Sequence, residues 1–334
     1  MNCVKGYAVL LSIAAALLLI LPLPALPRTR TPVNPPVSTP ESTPTQEGKS
    51  DIPTASTVFR VLTGDTVTAL SCREFLIRTL AFEMSPTYHP EALKAQTVAA
   101  YTYYGRRHLA QQTNPDATLH GADFKSPGDK FPQEYDTDKL RERWGEQFDT
   151  YYATLCAAVD EVLGKHMTYN GEWIDACFFA MSNGHTESAK NVWGSQVPYL
   201  QAVASPGDKL TANYETNTTL TTEQVKAALI AADATITLPK DPTTWFGEAT
   251  LSDSGTVLYM PVGNKIMTGV ALRSAFGLRS ATFRVSCTQD GFSFTVQGYG
   301  HGVGMSQCGA NHMAKQGYTW QEILQYYYTG VTIE

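Results

Sequence analysis

The sequence predicts an α+β fold: helices packed with antiparallel hairpins, with room for two subdomains around a cleft. Three observations lead there. Two turn signals, Asn170-Gly171 and Asp290-Gly291, each join a pair of strand-like apolar runs. Helix-period apolar spacing with capping residues recurs along the chain. Helices and strands do not alternate regularly, as a doubly wound parallel sheet requires.

An appendage precedes the fold. Residues 6–27 carry no charge, and residues 7–21 are apolar except for Ser12. This length lies between a signal-peptide core and a full membrane span. No A-x-A closes the run, so residues 1–27 read as an uncleaved anchor, with a cleaved signal as the alternative. Lys5 lies before the segment and Arg28 and Arg30 after it, so charge does not orient it. Residues 27–57 hold seven Pro, seven Thr and four Ser and no aromatic residue. Such a composition favours extended chain over a core. Residues 28–57 therefore read as a spacer holding a domain, residues 58–334, on the extracytoplasmic side of a membrane. Within it, residues 209–295 form a candidate subdomain.

The folded part begins with two strands around Thr63-Gly64-Asp65. Ser71 and Glu74 then form an S-x-x-E capping signal for a helix over 72–83, which Pro86 forbids from continuing far. Pro90 suits the first position of a second helix reaching about Ala110. Trp144, Phe148, Tyr151, Leu155, Ala158 and Val162 recur at helical spacing, with Gly164 as the C-terminal cap. A hairpin of 166–169 with 173–179 follows, and a second of 281–287 with 292–297. The last stretch, 305–328, reads as two helices broken at Gly317.

Composition excludes some functions. Hydrophobic residues at 43% and charged residues at 17% rule out a wholly disordered chain. A net charge of -6 without a basic run argues against a nucleic-acid surface. None of the six cysteines forms a C-x-x-C pair, and Cys3 precedes the apolar segment. The remaining five cannot all pair with one another and read as small buried hydrophobes. The seven histidines are dispersed, without H-E-x-x-H, so no metal site is indicated. Cys308 and His301 lack a third orienting residue for a thiol nucleophile.

Four places carry chemistry. Leu76, Leu80 and Glu83 share one apolar helix face, and Glu83 stands at the helix C-terminus. Desolvation and the helix dipole both disfavour its ionisation, which suits a general acid; an outward-facing Glu is the alternative. Gln96 interrupts the small apolar face of Ala99, Ala100 and Tyr103, as a ligand contact or a partner for buried backbone. The loop 181–187, with Ser182 and Gly184 at a strand end, suits ligand contact or an ordinary turn. The densest signal is Gly300-His301-Gly302-Val303-Gly304-Met305-Ser306-Gln307 before a helix. Its glycines would let backbone approach a ligand, and the helix start would offer N–H groups.

These motifs together resemble the stage II sporulation protein D family, peptidoglycan lytic transglycosylases of spore-forming bacteria. The resemblance rests on Glu83-Met84 followed by Pro90-Glu91-Ala92-Leu93-Lys94-Ala95-Gln96, on Leu272-Arg273-Ser274 with Gly277-Leu278-Arg279-Ser280, on the 300–307 block, and on Tyr326-Tyr327-Tyr328-Thr329-Gly330. It covers residues 58–334. The family's S-T-S-G-G-x-T loop becomes Ala180-Met181-Ser182-Asn183-Gly184-His185-Thr186 here. Some members carry a Cys/His zinc site in the segment matching 121–133; this chain has neither residue there, so no zinc and no cofactor are expected.

The resemblance implies Glu83 as the catalytic residue, with Gln96, Ser182, Gly184, His301 and Gln307 binding substrate. It implies cleavage between N-acetylmuramic acid and N-acetylglucosamine to 1,6-anhydro ends, preferentially on glycan stripped of peptides, during engulfment. The implied partners are glycan strands, a sporulation cell-wall amidase and a membrane partner, at the cell membrane. Two alternatives stand beside it: a wall-binding scaffold, and a hydrolase using Asp208 or Glu187 as base. The cleft is expected to be short of charged side chains that could clasp a peptide stem, and His301 is the one loop residue that, without a shift, can change charge near pH 6.5.

Overall fold

The structure is a computed structural model that describes residues 52–334. The anchor at 1–27 and the spacer up to residue 51 lie outside the described residues. Among the described residues no helix is long and apolar enough to cross a membrane. Residues 52–57, read from sequence as the end of the spacer, already pack on the domain. Pro53 is buried and its carbonyl accepts the Tyr101 hydroxyl.

The domain is α+β with five small sheets. Strands β1 (Val58–Thr63) and β2 (Thr66–Ser71) form the first hairpin. Helix α1 (Cys72–Glu83) starts at Ser71, whose hydroxyl accepts the Glu74 N–H at 3.2 Å. The capping box is only half made, because the Glu74 carboxylate turns to Arg78 at 2.8 Å. Helix α2 (Pro90–Thr113) runs a turn longer than its sequence signal. Its Ala92, Ala95, Ala99 and Ala100 are all buried, which lets α1 and three later helices close on it. Strand β3 (Phe124–Lys125) adds parallel to β1.

The single helix expected around Trp144 is two: α3 (Thr137–Trp144) and α4 (Phe148–Val162). Gly145, at a positive φ of 51°, ends α3. Trp144 nevertheless packs on Phe148 and Tyr151, so the apolar spacing continues across the break. Strands β4 (Met167–Tyr169) and β5 (Glu172–Trp173) form the Asn170-Gly171 hairpin. The chain then leaves that sheet, and β6 (Phe178–Phe179) pairs elsewhere. Helix α5 (Ala189–Trp193) follows.

The next stretch supplies β7 (Glu215–Leu220), α6 (Thr222–Ala232), β8 (Thr250–Leu251), β9 (Val257–Val262), β10 (Lys265–Thr268), α7 (Gly269–Phe276), β11 (Phe283–Thr288) and β12 (Gly291–Gln297). It makes two antiparallel sheets, β10-β9-β8 and β11-β12-β7. Every fully buried member of the second hydrophobic cluster lies between Val225 and Val296. The β11–β12 turn is Gln289-Asp290 rather than Asp290-Gly291, since Thr288 pairs with Gly291. Gly291 is needed in the strand itself: a Cβ there would stand 2.3 Å from the Leu220 carbonyl.

Strand β13 (Met305–Ser306) runs parallel to β6. Helices α8 (Gln307–Lys315) and α9 (Trp320–Tyr327) flank Gly317, and β14 (Thr332–Ile333) closes the β4 sheet. Both helices pack on α2 in the larger core, with the fully buried Tyr328 just beyond α9.

Candidate active site

Five elements and one loop surround a cleft of about 480 Å³. Glu83 comes from the end of α1, Tyr103 and Arg107 from α2, and Lys125 from β3. Phe178 comes from β6, Trp193 from α5, and His301 from the loop before β13. The β6–β13 pairing is what brings sequence-distant 178 and 301 to one wall.

Glu83 is the last residue of α1, one turn beyond the buried Leu80. Burial raises its pKa above the ordinary carboxylate value, and a hydrogen bond from Gln307 opposes the rise. The Gln307 Nε2 donates to Glu83 Oε2 at 3.0 Å and reaches Gln96 Oε1 at 3.5 Å. Gln96 is fully buried behind it. The two amides thus form a chain whose outer end fixes one oxygen of the carboxyl group. Among the described residues Glu83 is the only carboxyl group lining the cleft.

His301 stands on the aromatic side, with ring centroids 5.4 Å from Trp193 and 5.6 Å from Phe179. The Val303 N–H donates to its Nδ1 at 3.1 Å, so in the neutral ring the proton belongs to Nε2. Burial, then the Arg273 charge, pushes its pKa down to about 4, against a hydrogen bond to the Phe178 backbone. The ring therefore does not keep the unshifted value near pH 6.5, and the imidazole is neutral at neutral pH.

Ser182 and Gly184 do not line the cleft. Ser182 is buried, and its N–H and Oγ–H both donate to Asp208 Oδ2, at 2.9 and 2.5 Å. Gly184 N–H donates to Ser182 Oγ at 3.0 Å, and its Cα faces the Lys209 side chain. The loop is ordered by a buried carboxyl group instead of opening towards the Glu83 cleft.

Both alternative bases are likewise committed. Asp208 is fully buried and also accepts from Ser306 Oγ at 2.8 Å. Glu187 is 2% exposed and accepts from the Ser188 N–H, Asn191 Nδ2 and Ser252 Oγ.

Gly300 and Gly304 are needed for close approach of the loop to its neighbouring strand segment. A Cβ at Gly300 would stand 2.7 Å from Phe179 Cβ, and one at Gly304 would stand 2.0 Å from the Cys177 carbonyl. They let the loop lie against β6 and the residue before it. The start of α8 is also occupied: the Cys308 N–H donates to Ala180 and the Gly309 N–H to Ser306 Oγ.

Sequence reasoning passed over Arg107, Lys125, Phe178 and Trp193. The two cations correct the expectation of a cleft short of charge. Trp193 had a signal: a large aromatic, 48% exposed, in the polar stretch Lys190-Asn191-Val192-Trp193-Gly194. Among the described residues no three His, Cys, Asp or Glu side chains converge as a metal site.

Fold and site define an α+β protein whose cleft holds one half-buried carboxyl group between aromatic walls. The stage II sporulation protein family profile matches residues 63–169. Stage II sporulation protein D of Bacillus subtilis is 34% identical over 282 residues, covering 84% of this chain and 79% of the relative. Its Bacillus amyloliquefaciens counterpart is 33% identical over 84% of this chain and 79% of the relative. A protein of Bacillus subtilis named amidase enhancer is 26% identical over 75% of this chain and 39% of its own length. The chain belongs to the stage II sporulation protein D family.

Proposed function

We propose that this chain is a peptidoglycan lytic transglycosylase of sporulation, cleaving between N-acetylmuramic acid and N-acetylglucosamine. The observation that carries the reading is Glu83, a lone carboxyl group of raised pKa in an aromatic-walled cleft. Apolar sugar faces stack on aromatic rings such as Trp193, which lines the cleft.

Gln307 holds Glu83 Oε2 as an acceptor, which leaves Oε1 to carry the proton. Protonated Glu83 donates to the glycosidic oxygen as the bond to C1 breaks. The sugar's own 6-hydroxyl then closes on C1, giving its proton to the Glu83 carboxylate. One carboxyl group serves both steps because no water is activated on the opposite face. Hydrolysis commonly needs a second carboxylate in reach, and Asp208 and Glu187 are both buried in other contacts. His301, neutral with Nε2–H, is a fixed donor rather than an acid.

The setting we propose follows the family: an extracytoplasmic domain anchored at the cell membrane, acting in engulfment beside a membrane partner. The relative named amidase enhancer supports an amidase as a second partner. Mass spectrometry of products from amidase-stripped glycan tests the reaction. Anhydro ends, one water lighter than reducing ends, are expected; reducing ends would make the enzyme a hydrolase.

A further inference from the structure

We propose that Arg107 and Lys125 form an anion site within the cleft that binds the free lactyl carboxylate of N-acetylmuramic acid after its peptide stem has been removed. The inference rests on the transglycosylase reading above and names what sets its substrate.

Arg107 is held by one nitrogen only. Its Nη1 donates to the Tyr103 carbonyl at 2.9 Å and to Asp175 Oδ1 at 3.0 Å. Its guanidinium carbon lies 3.3 Å from the centre of the Tyr103 ring. These contacts fix the plane of the group. Nε and Nη2 have no protein partner among the described residues, and together they form the fork that matches a carboxylate.

Lys125 reaches the same cleft from the end of β3. It is exposed, and among the described residues its ammonium makes no ion pair. Asp175 offsets one of the two cations. An entering anion therefore meets the exposed Lys125 ammonium and a guanidinium whose Nε and Nη2 are without a protein partner among the described residues.

The substrate offers a carboxylate only in one state. In stemmed peptidoglycan the lactyl carbonyl is a neutral amide, with a peptide attached. N-acetylglucosamine has no carboxyl group at all. Hydrolysis of the lactyl amide releases the peptide and leaves a carboxylate on the muramic acid. The cation pair would thus select stripped strands and set which sugar lies over Glu83. Preference for stripped glycan becomes recognition of a new charge, beyond the removal of bulk.

The test uses stripped glycan and the same glycan with its lactyl carboxylates converted to methylamides, both free of stems. The full-length wild type should cut the methylamide glycan about tenfold or more slowly, the loss of a charge-assisted contact. Lys125→Gln and Arg107→Gln should each cut the acid glycan more slowly and discriminate less. Lys125→Gln loses no ion pair within the described residues, so its melting temperature should match wild type and keep the test clear of folding. Equal wild-type rates on acid and methylamide glycan would overturn the anion site while leaving the transglycosylase intact. Binding to Glu83→Gln, by calorimetry, carries the test if no cleavage is seen. Tighter binding of the acid glycan would then support the anion site even as the catalytic reading fails, and equal affinities would remove both.

Discussion

Replacing Ser182 by Ala should cost stability and spare catalysis. The Ser182 hydroxyl donates at 2.5 Å to Asp208, a fully buried side chain. Hydrogen bonds to charged groups contribute about 1.5–3 kcal/mol. For a domain of this size each kcal/mol moves the melting temperature by about 2–4 °C, so a fall of roughly 3–12 °C is expected. The pH dependence follows from Asp208. Burial raises its pKa, and the Ser182 and Ser306 hydroxyls pull it back. A folded value above the unfolded one, about 3.9, means that its contribution is complete below that pH and shrinks as pH rises through the folded value. Removing a donor that favours the ionised form raises the folded value further. The gap between variant and wild type should therefore be small in acid and widen towards neutral pH. Melting followed by circular dichroism from pH 4 to 8, with rates per folded molecule, reads both. An unchanged melting temperature with lost activity would put the hydroxyl on sugar and refute this placement. A gap widest in acid would refute the role assigned to Asp208.

Gln307→Leu removes the donor that opposes the rise in Glu83 pKa. The alkaline limb of kcat/KM should move to higher pH, with the rate falling about two- to tenfold from lost positioning. In wild type that limb belongs to Glu83, whose activity as a protonated acid is present below its raised folded pKa and lost above it. His301, at about 4, should add no inflection between pH 5 and 8; a limb that moves in His301→Ala would show that the imidazole titrates. Trp193→Ala removes an exposed stacking surface, so KM should rise about fivefold, on the order of 1 kcal/mol, with melting unchanged. An unaffected KM would take Trp193 out of the sugar path.

Local structure was legible wherever a short-range rule decides it. Ser71, Pro90, Asn170-Gly171 and Gly317 each mark an element boundary within a residue or two of its observed place. The Trp144 helix misled because side chains on two helices can continue one apolar stripe. Glu83 was legible because its neighbours at i−3 and i−7 are both on its own helix. The cleft's other walls were not. Lys125, Phe178 and His301 meet through the β1–β3 and β6–β13 parallel pairings, which connect residues far apart in sequence. Ser182 misled for a related reason. Small polar residues suit a ligand loop and a buried carboxylate equally, and Asp208 lies 26 residues away along the chain.

Glu83→Gln, compared with wild type on amidase-stripped glycan, tests the central claim most directly. An amide is nearly isosteric and can take the place of the carboxyl group beside Gln307, so circular dichroism and melting should hardly change. It cannot deliver a proton, so the rate should fall on the order of 10²-fold or more. The account predicts that mass spectrometry finds 1,6-anhydro ends from wild type and almost none from the variant. Wild-type-like release of anhydro ends by a folded Glu83→Gln protein would contradict it.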